Sequence, residues 1–371
     1  MKNLISLTRD NAKVKLLEAM GSNNRQTALE AQEIFAAFSA PLIQQVLDQL
    51  ATHKLIYGEP IEYNSDGGDP MIPLEYFHDI GEGLINIWSQ GSPGAIPTNE
   101  IAGPVDEFRL RTYQHGTAVS MKKCYARQSR MDVVSGVLQR VLQEFIVKTE
   151  YQAWTPILTA LANSRTNGDL QIINSTETGK LGFDDFNRLW TKVCRFRQSW
   201  AGGTPTASPS RGLTDLFVSC ELLENIRSFA YNPANTTAVP DTAESTAMGL
   251  PEQMRMEIFR NSGMTSIFGV NIISLLEFGV GQAWNELFDG FYSPGGSDPT
   301  FTKATQELAL GVDLSTNAFV SCVGKNPCEN SALSFIPDDS YSSREEKLGF
   351  SSTLRAGYSV VDSKNLVGLF V

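Results

Sequence analysis

Two alternating runs of residues, separated by a stretch that cannot be regular, constrain this chain more than anything else in it. Ile85 and Ile87 on the way out share one face with Phe108, Leu110 and Thr112 on the return, and Arg109, Arg111 and Tyr113 take the other. A period of two is that of a strand with one apolar and one polar side. Between the runs lie Gly91, Pro93, Gly94, Pro97, Gly103 and Pro104, which interrupt helices and central strands alike. The pattern predicts a long two-stranded ribbon with a large tip. A lone ribbon is only marginally stable, so it must lie on its own domain or on a neighbouring subunit.

The charge around the ribbon is uneven. The chain has 371 residues and a formal net charge of -11. Glu59, Glu62, Asp66, Asp69, Glu75, Asp79 and Glu82 precede the ribbon with no Lys or Arg among them. Pro60, Gly67, Gly68, Pro70 and Pro73 make that acidic segment extended and loop-rich. Beyond the ribbon, Lys122, Lys123, Arg127, Arg130 and Arg140 stand against Asp132. If copies of the chain pack together, acidic and basic segments can meet across subunits, and such matching sets register more than affinity. The expected assembly residues are therefore Phe108, Arg109 and Arg111 on the ribbon, Lys122, Lys123 and Arg127 after it, and Glu75, Asp79 and Glu82 before it. An acidic chain argues against broad coating of nucleic acid, which wants a basic face. No apolar run is long enough for a membrane helix, and Met1 to Asp10 lacks the apolar core of an export signal.

The rest of the chain alternates helix and strand. A weakly amphipathic arm carries Leu4, Leu7, Val14 and Leu17. In Gln26 to Leu50 the row Ile34, Phe38, Leu42, Val46 and Leu50 predicts a helix, with Phe35, Ile43 and Leu47 beside it. Pro41 predicts a kink there, with Ser39 capping a second helix. Asp132 to Thr149 reads as a long helix on the stripe Val134, Leu138, Val141 and Phe145, broken or kinked at Pro156. Helices are also expected over Phe183 to Phe196, after Ser219 and over Glu252 to Asn261. Loops are expected at Ser199 to Gly212 and Asn232 to Gly249. Ser266 to Leu276 reads as one strand. The end reads as strands over Leu308 to Leu314, Ala318 to Val323, Ala332 to Ile336, Lys347 to Leu354, Tyr358 to Val361 and Leu366 to Val371, with a turn at Gly357. The apolar terminus Leu369-Phe370-Val371 must be paired in a sheet to avoid aggregation.

Catalytic motifs are missing. Phosphate-loop and nucleophile-elbow patterns are absent, and Gly81-Glu82-Gly83 and Gly279-Val280-Gly281 run on to Asn86 and Trp284 instead of a third glycine. Asp66-Gly67-Gly68-Asp69 lacks the ligand alternation of a calcium loop. The five cysteines include no C-x-x-C pair and are expected to be reduced, although Cys322 and Cys328 stand close enough in sequence for a loop disulfide. His53, His78 and His115 have no local metal-binding partners. Asp184-Asp185 and Asp338-Asp339 read as solvated caps and turns. An enzyme built on this chain would have to draw on scattered residues such as His115, Asp215 and Cys220.

The order of elements resembles that of HK97-type major capsid proteins of tailed bacteriophages. Glu107-Phe108-Arg109-Leu110-Arg111-Thr112-Tyr113-Gln114-His115-Gly116 is similar to the returning strand of their E-loop. Leu213-Thr214-Asp215-Leu216-Phe217-Val218-Ser219, followed by a helix, is similar to a segment of their axial domain. Arg344 to Phe350 and Gly357 to Asp362 resemble their closing region. The resemblance implies an α+β fold with an N-terminal arm and connecting segment (1–83), an E-loop ribbon (84–121), a spine helix in a peripheral domain (122–168), a mixed axial domain (169–330) and closing strands of both domains (331–371). It implies a non-enzymatic shell protein without cofactor or metal, forming pentamers and hexamers around packaged double-stranded DNA without reading its sequence. The implied partners are a portal, a separate scaffolding protein, since little chain precedes the ribbon, and a decoration protein in some relatives. Some relatives cross-link through an E-loop lysine, but no lysine lies between Lys54 and Lys122, so no such cross-link is expected. An encapsulin-type nanocompartment shell, which shares the fold, an enzyme with a dispersed site and a generic oligomeric binding protein remain the alternatives.

Overall fold

A computed structural model describes residues 13–64, 68–73, 107–128, 130–166, 169–177, 179–198, 212–228, 253, 256, 266–315, 318–325, 332–338 and 346–371. The outgoing strand of the ribbon, its tip, Glu75, Asp79, Glu82, His78, Cys328 and the loop at 232–249 lie outside the described residues. So do most of the loop at 199–212 and most of the helix expected over 252–261.

The helices are α1 (Arg25–Leu50), α2 (Lys54–Tyr57), α3 (Lys123–Arg127), α4 (Met131–Ala162), α5 (Phe183–Gln198), α6 (Cys220–Ser228) and α7 (Ala283–Phe291). The strands begin with β1 (Ile61–Asn64), β2 (Met71–Pro73), β3 (Glu107–Arg109) and β4 (Tyr113–Lys122). They continue with β5 (Arg165–Thr166), β6 (Asp169–Leu170), β7 (Ile172–Asn174), β8 (Asp215–Val218), β9 (Ser266–Ile267) and β10 (Val270–Ser274). The last are β11 (Leu308–Val312), β12 (Phe319–Lys325), β13 (Leu333–Asp338), β14 (Lys347–Val360) and β15 (Leu366–Phe370). The class is α+β, as the resemblance implies. The described residues divide into two units: the first draws on 1–72, 107–153 and 320–359, the second on 73–106, 154–319 and 360–371.

In the first unit β1, β12, β14 and β13 are neighbours in a sheet, and β4 joins it on β14. β4 and β14 run antiparallel for ten residue pairs, from Tyr113 opposite Ala356 to Lys122 opposite Lys347. The core beneath is built by α1 (Phe35, Ile43), α4 (Val134, Val141, Phe145) and the sheet (Met121, Leu333, Phe335, Leu348, Phe350). Phe350 stacks on Phe335 at 5.3 Å and meets Phe35 at 5.6 Å. Residues 13–20 are helical, and Leu17 and Met20 are buried in this core.

In the second unit the sheet order is β7-β15-β11-β8-β10-β9. β8, β11 and β15 are buried at every position, because both sheet faces are covered. Leu216 and Val218 of β8 pack with Leu189 and Val193 of α5 and Leu222 and Ile226 of α6. Phe217, between them, turns the other way to meet Trp154 edge-on at 5.7 Å. Trp154 also touches Phe278 and Trp284, and Phe370 of β15 packs among Phe288, Tyr292 and Phe301. The terminus is paired as expected: Val371 and Glu307 exchange backbone hydrogen bonds of 3.0 Å.

Several expectations need correction. Pro41 does not split its helix; α1 is continuous, its N-cap is Asn24, and Ser39 is buried within it. Pro156 likewise sits inside an unbroken α4. A proline costs a helix one hydrogen bond, and here apolar anchors on both sides (Phe35 and Ile43; Trp154 and Ile157) hold the axis together. Gly357 is no turn but lies within β14; a Cβ there would come 2.6 Å from the Arg111 carbonyl oxygen. The segment 266–274 is not one strand but a hairpin, with Phe268 and Gly269 at φ of 51° and 80° and Ile267 paired with Val270. Positive φ at both central positions makes the tight hairpin turn. Asp185 is not a solvated cap. It is fully buried and accepts from the Thr176 amide and hydroxyl and the Gly182 amide. Helix α7 carried no expectation at all.

Candidate assembly surface

The return strand of the expected ribbon is tied down at its root. β3 pairs with β2, the chain leaves strand geometry at Leu110 to Thr112, and β4 then enters the main sheet. The burial expected of a one-sided strand is nonetheless present: Leu110 is buried and Phe108 and Thr112 are half-buried, while Arg109, Arg111 and Tyr113 are exposed. Asp69 holds the break. Its Oδ1 accepts from the Thr112 hydroxyl at 2.6 Å and the Thr112 amide at 3.2 Å, and its Oδ2 lies 3.3 Å from Arg109 Nε. The Leu110 amide donates to the Pro70 carbonyl at 3.1 Å. The two hydrogen bonds from Thr112, with Arg109 adding its charge, hold the Asp69 carboxyl below its ordinary range.

In the described residues the return run therefore pairs within the same chain, β3 with β2 and β4 with β14. Arg109 is matched to Asp69, and Glu62 is matched to Lys325 at 2.6 Å. Two of the acidic residues before the ribbon are thus paired within the subunit.

The basic stretch divides too. Arg127, exposed, reaches along the surface: its Nε donates to the Gly21 carbonyl at 2.8 Å and its terminal nitrogen to Asn23 at 2.5 Å. It fixes the chain entering α1, and its side chain stays at the surface. The Lys123 amide donates to the Glu346 carbonyl at 2.8 Å. Lys122 is exposed opposite Lys347, where two like charges face each other across the ladder. Phe108 is half-buried and Arg111 exposed. Glu75, Asp79 and Glu82 lie outside the described residues.

Polar groups inside the first unit form a structural knot. Glu150 accepts from the Thr52 amide at 2.6 Å and the Thr52 hydroxyl at 2.5 Å, and meets His53 Nδ1 at 3.1 Å. The other His53 nitrogen lies 3.2 Å from the Tyr358 hydroxyl. Burial pushes the Glu150 carboxyl up, but hydrogen bonds from His53 and Thr52 and the His53 charge outweigh it and hold it below its ordinary value. A cavity of about 150 Å³ adjoins the knot, walled by Leu47, Ile146, Val323 and Leu354.

Of the scattered candidates for catalysis, His115 and Asp215 are engaged by neighbouring side chains and Cys220 is an exposed free thiol. His115 is buried against Gln152, and burial pushes its imidazole below the ordinary value. Asp215 accepts from Asn271 at 3.0 Å. Cys220 opens α6, where Ser219 caps the helix through the Leu222 amide at 2.9 Å. Cys322 is buried and its thiol is pushed up to about 12. Among the described residues no three His, Cys, Asp or Glu side chains could hold a metal ion, and no helix is long and apolar enough to cross a membrane.

The spacing in α1 predicts a helix without saying which of its two apolar sides is buried. In α1 the row Ile34, Phe38, Leu42 and Leu50 is exposed, and the buried side is Ala28, Ala31, Phe35, Ala36 and Ile43. Both sides are apolar, so spacing alone could not say which faces the core. On α4, Val147 and Tyr151 are exposed as well.

No protein-family description and no curated protein matches the chain. Solved structures do. The chain is similar to the mature capsid of bacteriophage PhiM1 (9% identity, 86% of each chain covered, TM-score 0.49). It is similar to the capsid of an empty GTA particle (11% identity, 86% of this chain and 89% of the other, TM-score 0.48). It is also similar to the holo-SrpI encapsulin complex of Synechococcus elongatus PCC 7942 (12% identity, 86% and 87%, TM-score 0.43).

Proposed function

We propose that this chain is the major capsid protein of a tailed bacteriophage. Its copies assemble into pentamers and hexamers that tile an icosahedral head around packaged double-stranded DNA. The observation that carries this reading is the root of the ribbon. β4 is held for ten residue pairs by the closing strand β14 and runs through α3 into the 32-residue helix α4, while the Asp69 clamp fixes the turn before it. A ribbon anchored this firmly at one end is suited to reach over a neighbouring subunit. In this reading the first unit is the peripheral domain and the second the axial domain. The role is structural, with no catalytic step, and the net charge of -11 suits a shell that encloses DNA without gripping it. The partners are other copies of the chain, a separate scaffolding protein, a portal and a decoration protein. Assembly takes place in the host cytoplasm and ends in the virion.

Electron microscopy of the purified protein tests this. Uniform shells or capsomer rings are expected, and particles from infected cells should contain DNA. Only small monodisperse species under every assembly condition would refute it, and shells filled with protein cargo instead of DNA would point to a nanocompartment. Because the chain from Leu55 to Met121 has no lysine, a denaturing gel of mature particles should show monomers and no covalent ladder through the ribbon.

A further inference from the structure

We propose that the outward row of α1 docks head to tail on the outward row of α4 in a second copy of the chain. This deepens the capsid reading and rests on it. α1 is apolar on two sides. Its inner side is buried in the core, yet Ile34, Phe38 and Leu42 on the other are 60%, 69% and 49% exposed, and Ala37 and Pro41 between them are exposed too. A helix apolar all round belongs in an interior, and a contiguous exposed apolar patch marks an interaction surface. Nothing among the described residues covers that patch.

α4 offers the complement. Val147 and Tyr151 are 65% and 47% exposed one helical turn apart, and Lys148 reaches over the Tyr151 ring at 5.9 Å. The spacing 140, 144, 147, 151 places Arg140 and Glu144 on the same helical side, all exposed. The α1 row is rimmed instead by exposed Glu30 and Glu33. An acidic-rimmed apolar ridge meeting a mainly basic-rimmed one is matched in charge, which selects partner and register. Pairing α1 with α1 would leave Val147 and Tyr151 in water. Pairing α1 with α4 covers both rows at once, and it does so by a heterologous contact, the kind that closes into rings. Pentamers and hexamers are such rings.

The test is disulfide trapping in the full-length chain carrying Phe38→Cys and Val147→Cys together, oxidised under conditions where electron microscopy shows wild-type shells. The expected result is a ladder of cross-linked subunits in the double variant, above the background that Cys124 and Cys220 give in wild type, and absent from each single variant. A dimer from Phe38→Cys alone would replace the proposal with α1–α1 pairing. Shells without a ladder would overturn it while leaving the capsid reading intact, whereas a wild-type chain that never forms shells would overturn the capsid reading first. Phe38→Glu should abolish particles and Phe38→Glu with Val147→Lys should restore them; failure of that rescue in a pair that unfolds at the wild-type temperature also counts against the contact.

Discussion

β8, β11 and β15 are covered on both faces along their whole length, while β4 alternates exposed and covered positions and α1 leaves Ile34, Phe38 and Leu42 in water. The second unit completes its core with its own helices: α5 and α6 close one side of the sheet, and Trp154, Phe288 and their neighbours close the other. The first unit has more apolar side chain than it has core to put it in. That difference separates two jobs within one chain. The second unit leaves Trp190, Phe268 and Leu276 exposed singly, whereas the first leaves a row along one helix, which in the proposed capsid is covered by association.

Substitutions can break or sharpen this contrast. The largest effect on folding is expected in the finished region. Phe370→Ala empties a site bounded by Phe288, Tyr292 and Phe301, and should cost about 3–5 kcal/mol in denaturant unfolding. A loss under 1 kcal/mol would mean the terminus is not the closing piece of that core.

Glu150→Gln comes next and probes what interior order the first unit has. Hydrogen bonds to a charged group contribute roughly 1.5–3 kcal/mol, so a loss of about that size is expected at neutral pH. The folded carboxyl titrates below its unfolded value. Its contribution is therefore complete above the ordinary carboxylate range and is lost as pH falls through the lower folded value. The gap between variant and wild type should shrink on acidification; a gap that widens contradicts the knot. Ser219→Ala removes both the α6 cap and the hydroxyl that donates to the Glu307 carboxylate and should cost about 1–2 kcal/mol, read from the thermal midpoint. Phe38→Ser should change folding by no more than about 0.5 kcal/mol, as exposed positions do, and yet reduce particle yield sharply. An ordinary yield would erase the contrast.

Much of this was legible in the sequence. Period two marked the run 108–113 that leads into β4, the closing strands read as strand by pattern, and period 3.6 marked α1, α4 and α5. The Ser219 cap and the buried terminus were equally readable. What failed did so for physical reasons. Pro41 read as a kink between two helices, and Pro156 as a break or kink, because local propensity knows nothing of Phe35, Ile43, Trp154 and Ile157 packing on either side. Gly357 read as a turn, although its role is to let two backbones approach. α7 opens just after Gly279-Val280-Gly281, a stretch that reads as breakers and hides the helix behind it. The Asp69 clamp joins residues 43 apart in sequence, a distance that motif reading does not span. In α1 the choice between two apolar sides needed the tertiary structure, and the side left over proved to be the most informative surface of the chain.

The most direct measurement of the central claim is hydroxyl-radical footprinting of Phe38 and Tyr151 in assembled particles and in dissociated subunits. Strong protection of both rings on assembly, with Trp154 and Phe217 equally unlabelled in the two states, is the predicted result. Equal labelling of Phe38 and Tyr151 in particles and free subunits would contradict the account.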